Sequence, residues 1–336
     1  MTSVASGHLR PGRAGLGAGG AEAKLEAHRR ELTGYCYRML GSAFDAEDAV
    51  QDTMVRAWRS IDKFDGRSSL RTWLYRIATN VCLDSLAGRQ RRALPMEMGP
   101  ASPPVQEALG SPLAETTWIE PIPDARVLPE GSDPADVAVA RESIRLAFVS
   151  ALQHLPARQR AVLILRDVLR WKADEVAELL ETSVASANSA LQRARATMAA
   201  TEDSGADLDE MDDAQRALLD RYVEAFERYD IESLVSLLHE DATQSMPPYR
   251  LWLEGAVDVG RWHLGPGIGC RGSRLVPVTA SGLPAFGAYR PNAVDGRLDA
   301  WSIQVVEVSH GRISHVTHFL LPRLFPLFGL PLVYGE

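Results

Sequence analysis

Arg71, Tyr75, Arg76 and Asn80 recur at helical spacing, and Arg89 and Arg91 follow just beyond Gly88. Gathered on one helix, these types offer guanidinium groups for phosphate, an exposed ring for base stacking and an amide for base edges, a combination that suits a nucleic acid. A second set, Ser186, Asn188, Ser189, Gln192, Arg193 and Arg195, puts small polar residues where a helix begins and arginines behind them. Small residues permit close approach to base edges while the arginines reach phosphate. A third set, Asp48, Gln51, Asp52, Arg56 and Arg59, forms a charged face whose plainest reading is a solvated surface. The fourth set is aromatic and imidazole-rich: Met246, Tyr249, Trp252, Trp262, His263, Trp301, His315 and His318 could line a pocket. Acid–base turnover would need an Asp or His held inside it. His315 and His318 fall on opposite faces of a strand because their separation is odd, so at most one points inward. No convincing catalytic pair emerges, and core packing or a ligand-sensing pocket is the expected use.

The elements that must carry these residues can be read from periodicity. Residues 45–61 predict a helix, with Asp45 accepting from the first-turn amides and Asp48 favourably placed on the helix dipole. Val50, Met54, Ala57, Trp58 and Ile61 make its apolar stripe. Leu70, Trp73, Leu74, Ile77 and Val81 do the same for the next helix. Before them, Ala21 to Leu40 predicts a single helix, with Leu25, His28, Leu32, Cys36 and Met39 along one side and Gly41 as its stop. Further on, Val137, Ile144, Phe148, Leu152 and Leu155 predict one amphipathic helix, and Pro156 opens the next. A helix-turn-helix follows: residues 173–180, a turn at Glu181-Thr182-Ser183, and 184–198 with Ser183 as N-cap and Val184, Ala187 and Leu191 facing the core. Glu181 is uncomfortable if that turn needs a positive φ.

The 336 residues predict two or three domains, and 46% hydrophobic content is ample for packed cores. A formal charge of −8 argues against a protein that coats DNA uniformly, while leaving room for local basic faces. Cys36, Cys82 and Cys270 are scattered and lack zinc spacing, so they suggest a reducing compartment and simple packing, with no metal or cofactor expected. Residues 1–20 read as a floppy tail rather than a secretion signal. No stretch approaches the roughly 18 uninterrupted apolar residues of a membrane span, which predicts a cytoplasmic protein. Residues 93–135 lose periodicity and collect prolines, the mark of a largely extended linker. Within it TTWIEPIPD carries Trp118 and Ile119, a costly pair to leave in water, and predicts docking onto a neighbouring domain. After an acidic run near 202–213 come two short helices and then strands, with a hairpin turning at His310-Gly311. The apolar tail 319–331 is broken by prolines and predicts packing over the sheet or the linker.

DAEDAVQDTMVRAW and RTWLYRIATNVCLD resemble region 2 of the extracytoplasmic function sigma factors, group 4 of the sigma-70 family. LPARQRAVLILRDVL and the helix words after it resemble region 4 of the same family, where Gly usually stands in place of Glu181. Trp-x-Glu-Pro segments like that at Trp118 occur in members that carry an added C-terminal domain. The layout of 213–336 is similar to the SnoaL-like, NTF2-like fold. The resemblance implies a multidomain chain: two all-α sigma domains and a C-terminal α+β cone. Its divisions would be 1–20 tail, 21–92 region 2, 93–135 linker, 136–200 region 4, 201–212 acidic hinge and 213–336 SnoaL-like domain. It implies that Asp48, Gln51, Asp52 and Arg56 grip the clamp coiled coil of core RNA polymerase. Arg71, Tyr75, Arg76 and Asn80 would read the promoter −10 element together with the loop 62–68, with Arg89 and Arg91 on phosphate. Ser186, Ser189, Gln192 and Arg193 would read the −35 element, and Arg170 and Lys172 beside Trp171 would add phosphate contacts. Tyr249, Trp252, Trp262, Trp301 and His318 would line a cone pocket for a small-molecule ligand. Two alternatives stay open: a helix-turn-helix regulator with a sensor domain, and a sigma factor fused to a working SnoaL-like enzyme.

Overall fold

A computed structural model describes residues 18–64, 66–129, 133–201 and 213–335. Of the tail expected over 1–20, residues 1–17 lie outside the described residues, as does the acidic hinge over 202–212.

Four helices build the first block: α1 (Ala18–Glu26), α2 (Arg29–Leu40), α3 (Ala43–Ser60) and α4 (Leu70–Leu86). The single helix expected over 21–40 is two, parted at Ala27-His28, and it begins earlier, at Ala18. Gly41 ends α2 as expected, at φ 71°, a left-handed conformation that costs glycine nothing. The N-cap of α3 is Ser42 rather than Asp45: its extended backbone turns the hydroxyl to accept from the Asp45 amide at 3.2 Å. Ser69 caps α4 in the same way. Val50, Met54 and Ala57 are buried, whereas Trp58 is 39% exposed and leaves the expected stripe.

The second block contains α5 (Pro134–Glu142), α6 (Leu146–Gln153), α7 (Ala157–Leu163), which runs into a π turn over Ile164–Val168, α8 (Ala173–Leu179) and α9 (Val184–Thr201). The helix expected from Val137 to Leu155 breaks at Ser143–Arg145. Tertiary bonds explain the break: the buried Arg38 guanidinium donates to the Ser143 carbonyl and hydroxyl, and Arg145 pairs with Glu307 of the distant sheet at 3.1 Å.

The C-terminal unit opens with α10 (Asp213–Arg228) and α11 (Ile231–Ser236), and α12 (Ala256–Leu264) follows its first two strands. Its curved sheet comprises β1 (Leu238–Ser245), β2 (Trp252–Glu254), β3 (Arg274–Ala280), β4 (Leu283–Pro291), β5 (Leu298–Ser309) and β6 (Arg312–Phe319). Their order is β2-β1-β6-β5-β4-β3, antiparallel except where β1 lies parallel to β6. This is the α+β cone layout. The β5–β6 hairpin turns at His310 and Gly311, both at positive φ as a tight right-twisted hairpin requires. Side chains alternate across the sheet. Phe286, Ala288, Val306 and Val316 point to the helices α10–α12 and close a small core. Ala285, Tyr289, Ile303, Val305 and Phe319 point the other way, into a larger core shared with both helical blocks.

The linker is the joint between these parts. It is less extended than its prolines imply, because short 3₁₀ turns form at Pro95–Met98, Gln106–Leu109, Glu115–Thr117 and Asp124–Arg126. Trp118 and Ile119 are fully buried. The tail lies where expected: its 3₁₀ helix Pro322–Phe328 buries Leu324 and Phe325 against the sheet, and Arg323 reaches Glu115 and Glu120 of the linker.

Candidate nucleic-acid interface and cone cavity

On α4 the basic face is already partly occupied. Arg71 pairs with Glu31 at 2.8 Å and lies over the rings of Tyr75 and Trp171. Tyr75, expected to be exposed, is fully buried: it packs 5.0 Å from Trp171 and 5.2 Å from Tyr35, and its hydroxyl donates to Glu31. Burial pushes that hydroxyl's pKa up, so it stays a neutral donor. Arg76 pairs with Glu178 of α8 at 3.3 Å. Trp171 and Glu178 both belong to the second block, so that block sits on the α4 face. The expectation that Trp171 is flanked by phosphate-reaching cations must also allow for its own burial. Asn80 remains exposed. Arg89 pairs with Asp45 at 3.0 Å, and Arg91 contacts His154 and Glu97.

The other two faces are open. Ser186, Asn188, Ser189, Gln192 and Arg193 are all exposed on α9, while Ala187 and Leu191 are buried. Val184, expected inward, is 43% exposed because it begins the helix beyond the core. Ser183 acts as the expected cap, accepting from the Ser186 amide at 3.1 Å. Glu181 sits at φ 52°, so the turn does demand the conformation that glycine tolerates better. Arg195 is held by Asp167 through two bonds of 2.7 and 2.8 Å. On α3, Asp48, Gln51, Asp52 and Arg56 are exposed together, and Arg56 lies 3.4 Å from Asp52.

Inside the cone, Tyr249, Trp262, Trp301 and His318 line one cavity of about 200 Å³. Trp252 does not: it sits on the short strand β2, and its indole donates outward to the Gly99 carbonyl of the linker at 3.0 Å. His315 faces away from the cavity, bonded to Thr243 and Thr317. Burial lowers the pKa of His263 to about 4. His318 falls to about 3, by burial first and then by its imidazole neighbours. Both are therefore neutral near pH 7.

The chain is similar to known proteins. Residues 25–92 match the family model for Sigma-70 region 2, and residues 145–198 match Sigma-70, region 4. The chain is 46% identical over 318 residues to the ECF RNA polymerase sigma factor SigG of Mycobacterium tuberculosis, covering 93% of this chain and 84% of that protein. The chain belongs to the ECF RNA polymerase sigma factors. SigJ of the same organism is 29% identical over 312 residues, covering 90% of this sigma factor and 92% of SigJ. The crystal structure of SigJ superposes with a TM-score of 0.57 at 25% identity, covering 92% of this sigma factor and 99% of that chain. The molecule is thus a promoter-recognising sigma factor, and sigma factors bind core RNA polymerase and promoter DNA rather than catalyse a reaction. Among its described residues no helix is long and apolar enough to cross a membrane.

Sequence reasoning missed how much of this sigma factor is tied by WIEPIPD. The Glu120 amide donates to the Gly41 carbonyl at 3.0 Å, and its own carbonyl accepts from the Tyr37 hydroxyl at 2.9 Å. Its carboxylate accepts from the Ser42 hydroxyl and from Arg323. The Ile122 carbonyl accepts from the Ser281 amide at 2.8 Å and its amide donates to the Ser281 hydroxyl at 3.2 Å, while Asp124 accepts from the Gly282 amide at 2.8 Å. Burial pushes the Glu120 carboxyl up, and Ser42 and Arg323 pull it part of the way back. Seven residues thus join the α2–α3 corner to the β3–β4 turn. Gly282 lies at φ 77°, and a Cβ there would stand 2.6 Å from Arg141. The sequence signal was the buried-looking Trp118-Ile119 pair; nothing in it named Tyr37, Ser281 or Arg323 as partners.

Proposed function

We propose that this sigma factor is held in a closed, promoter-shy arrangement by its linker and C-terminal domain. The observation that carries the reading is the covering of Arg71, Tyr75 and Arg76 by Trp171 and Glu178. A face that must read −10 DNA cannot do so while its aromatic is buried in protein. The linker knot at 118–124 supplies the hold, doing in one chain what a separate inhibitory partner could do. The working units are 21–92 and 136–200 as promoter-binding domains and 213–336 as the regulatory domain, in a protein acting in the cytoplasm.

In the open form, Asp48, Gln51, Asp52 and Arg56 grip the polymerase clamp. Arg71, Tyr75, Arg76 and Asn80 meet the −10 element, with Arg89 and Arg91 on phosphate. Ser186, Ser189, Gln192 and Arg193 meet the −35 element. We read the cone as a binding domain rather than an enzyme, because its two cavity histidines are neutral, weakly basic groups and, among the described residues, no carboxylate lines the cavity beside them.

Run-off transcription with core polymerase tests the closed state. Glu178→Lys sets like charge against Arg76, and Glu120→Ala cuts the knot. Together they are expected to raise specific initiation several-fold with polymerase affinity unchanged. Unchanged or lower output from the folded double variant would overturn the reading.

A further inference from the structure

Among the described residues, the cone cavity holds a cation without a counter-ion. Arg290 of β4 lies over the Trp301 ring, its guanidinium carbon 3.2 Å from the centroid. No Asp or Glu lines the cavity, and Arg290 has no ion pair among the described residues. A recessed guanidinium stacked on an indole keeps its donor edge free for an anion, and a planar carboxylate matches that edge.

Two buried acceptors or donors stand beside it without partners. His263 and His318 are 4% and 7% exposed, and among the described residues the Nδ1 of His263 and Nε2 of His318 have no hydrogen-bond partner. The Nε2 of His263 donates to the Gln244 side-chain oxygen at 3.1 Å, which leaves its Nδ1 as an acceptor. Buried polar atoms are nearly always satisfied, so an orphan on a cavity wall marks a place for a ligand atom. The rest of the wall sets the apolar side chains of Trp262, Met246 and Leu320 beside Tyr249, Cys270 and two glutamines, Gln106 and Gln244. At about 200 Å³ the space is smaller than the roughly 300–1,000 Å³ of sites for drug-sized molecules. It has room for one ring with short substituents.

We propose that the cone binds a small aromatic carboxylic acid, its carboxylate on Arg290, its ring against Trp262 and Trp301, and a ring hydroxyl on His263. Leu109 and Gln106 of the linker complete the wall. They are strapped in place by Ser102 donating to the Trp252 carbonyl at 2.8 Å and Leu113 to that of Pro248 at 2.9 Å. The bound acid therefore touches the strap and favours the arrangement in which the strap is down. That consequence rests on the closed-state reading above; binding itself does not.

The test is calorimetry on the full chain with 4-hydroxybenzoate, benzoate and uncharged benzamide as probes. The hydroxy acid is expected to bind best, and benzamide at least tenfold more weakly. Arg290→Gln is expected to lose at least tenfold, Arg290→Lys to keep part of the affinity, and His263→Phe to erase the preference for the hydroxyl. Failure of both acids to bind the folded wild-type chain, or equal binding of benzamide, overturns the proposal. If acids fail while Glu178→Lys with Glu120→Ala still raises transcription, this inference alone falls. If acids bind as described but leave transcription unchanged, the site stands and the closed-state regulation is what fails.

Discussion

His263 and His318 spend the folded state uncharged, and that makes the C-terminal domain acid-sensitive. Their folded pKa values, about 4 and about 3, lie below the ordinary value near 6.5. The unfolded chain therefore takes up protons first as pH falls, and stability is lost progressively below about 6.5. Each histidine is expected to cost on the order of 3 kcal/mol by pH 4. Tryptophan fluorescence across urea titrations at several pH values measures this, and His263→Asn with His318→Gln should flatten the slope. A slope already flat in the wild type would mean that these rings are not buried neutral. Glu120 works in the opposite sense. Its raised pKa means that the folded state holds its proton longer, so its contribution declines as pH rises from the ordinary carboxylate value toward the folded one. Because burial outweighs its partners, Glu120→Gln should cost under about 1 kcal/mol. Glu120→Ala strands Ser42 and Arg323 and should cost about 2 kcal/mol in the same titrations.

Elements were legible where pattern and boundary chemistry agreed. The α3, α4, α8 and α9 helices follow from their stripes, the end of α2 from Gly41, the start of α9 from Ser183, and the β5–β6 hairpin from His310-Gly311. Two continuous helices were expected where two breaks occur, because an apolar stripe reports a shared face and not an unbroken backbone. The break at Ser143–Arg145 is imposed by Arg38 and Glu307, which lie far away in the chain. Tyr75 failed for a similar reason: its helix position is off the local stripe, and that side becomes a core only when Tyr35 of α2 and Trp171 of the second block close over it. The cavity was read more fully, though Arg290 escaped notice. Alternation along β4 from Phe286 and Ala288 places it on the inner face, a signal available once that strand is set. The turn before α9 yields its own prediction. Glu181 at φ 52° is strained by its Cβ, so Glu181→Gly should stabilise the helix-turn-helix by up to about 1 kcal/mol in thermal unfolding. A lower melting temperature would show that the Glu181 side chain makes a compensating contact.

At the scale of the molecule, both helical blocks share one buried cluster with the outer face of the sheet. It runs through Leu152 and Leu165, through Ile119 and Ile122 of the linker, and on to Leu283 and Phe325. Parts joined by a common core unfold together, so a single cooperative transition is expected in which helix and sheet signals lose structure at the same denaturant concentration. Separate transitions by far-UV circular dichroism and tryptophan fluorescence would show that the blocks are independent. The shared core also bears on how such a chain is inherited. A deletion that removed everything after α9 would uncover the apolar side chains that the sheet and tail now cover, and the remnant would be sticky before it was free. Losing the extension in one step carries an aggregation cost, so the linker segment, the sheet and the tail are expected to be kept or lost as a set, with compensating changes at Ile119, Ile122 and their neighbours.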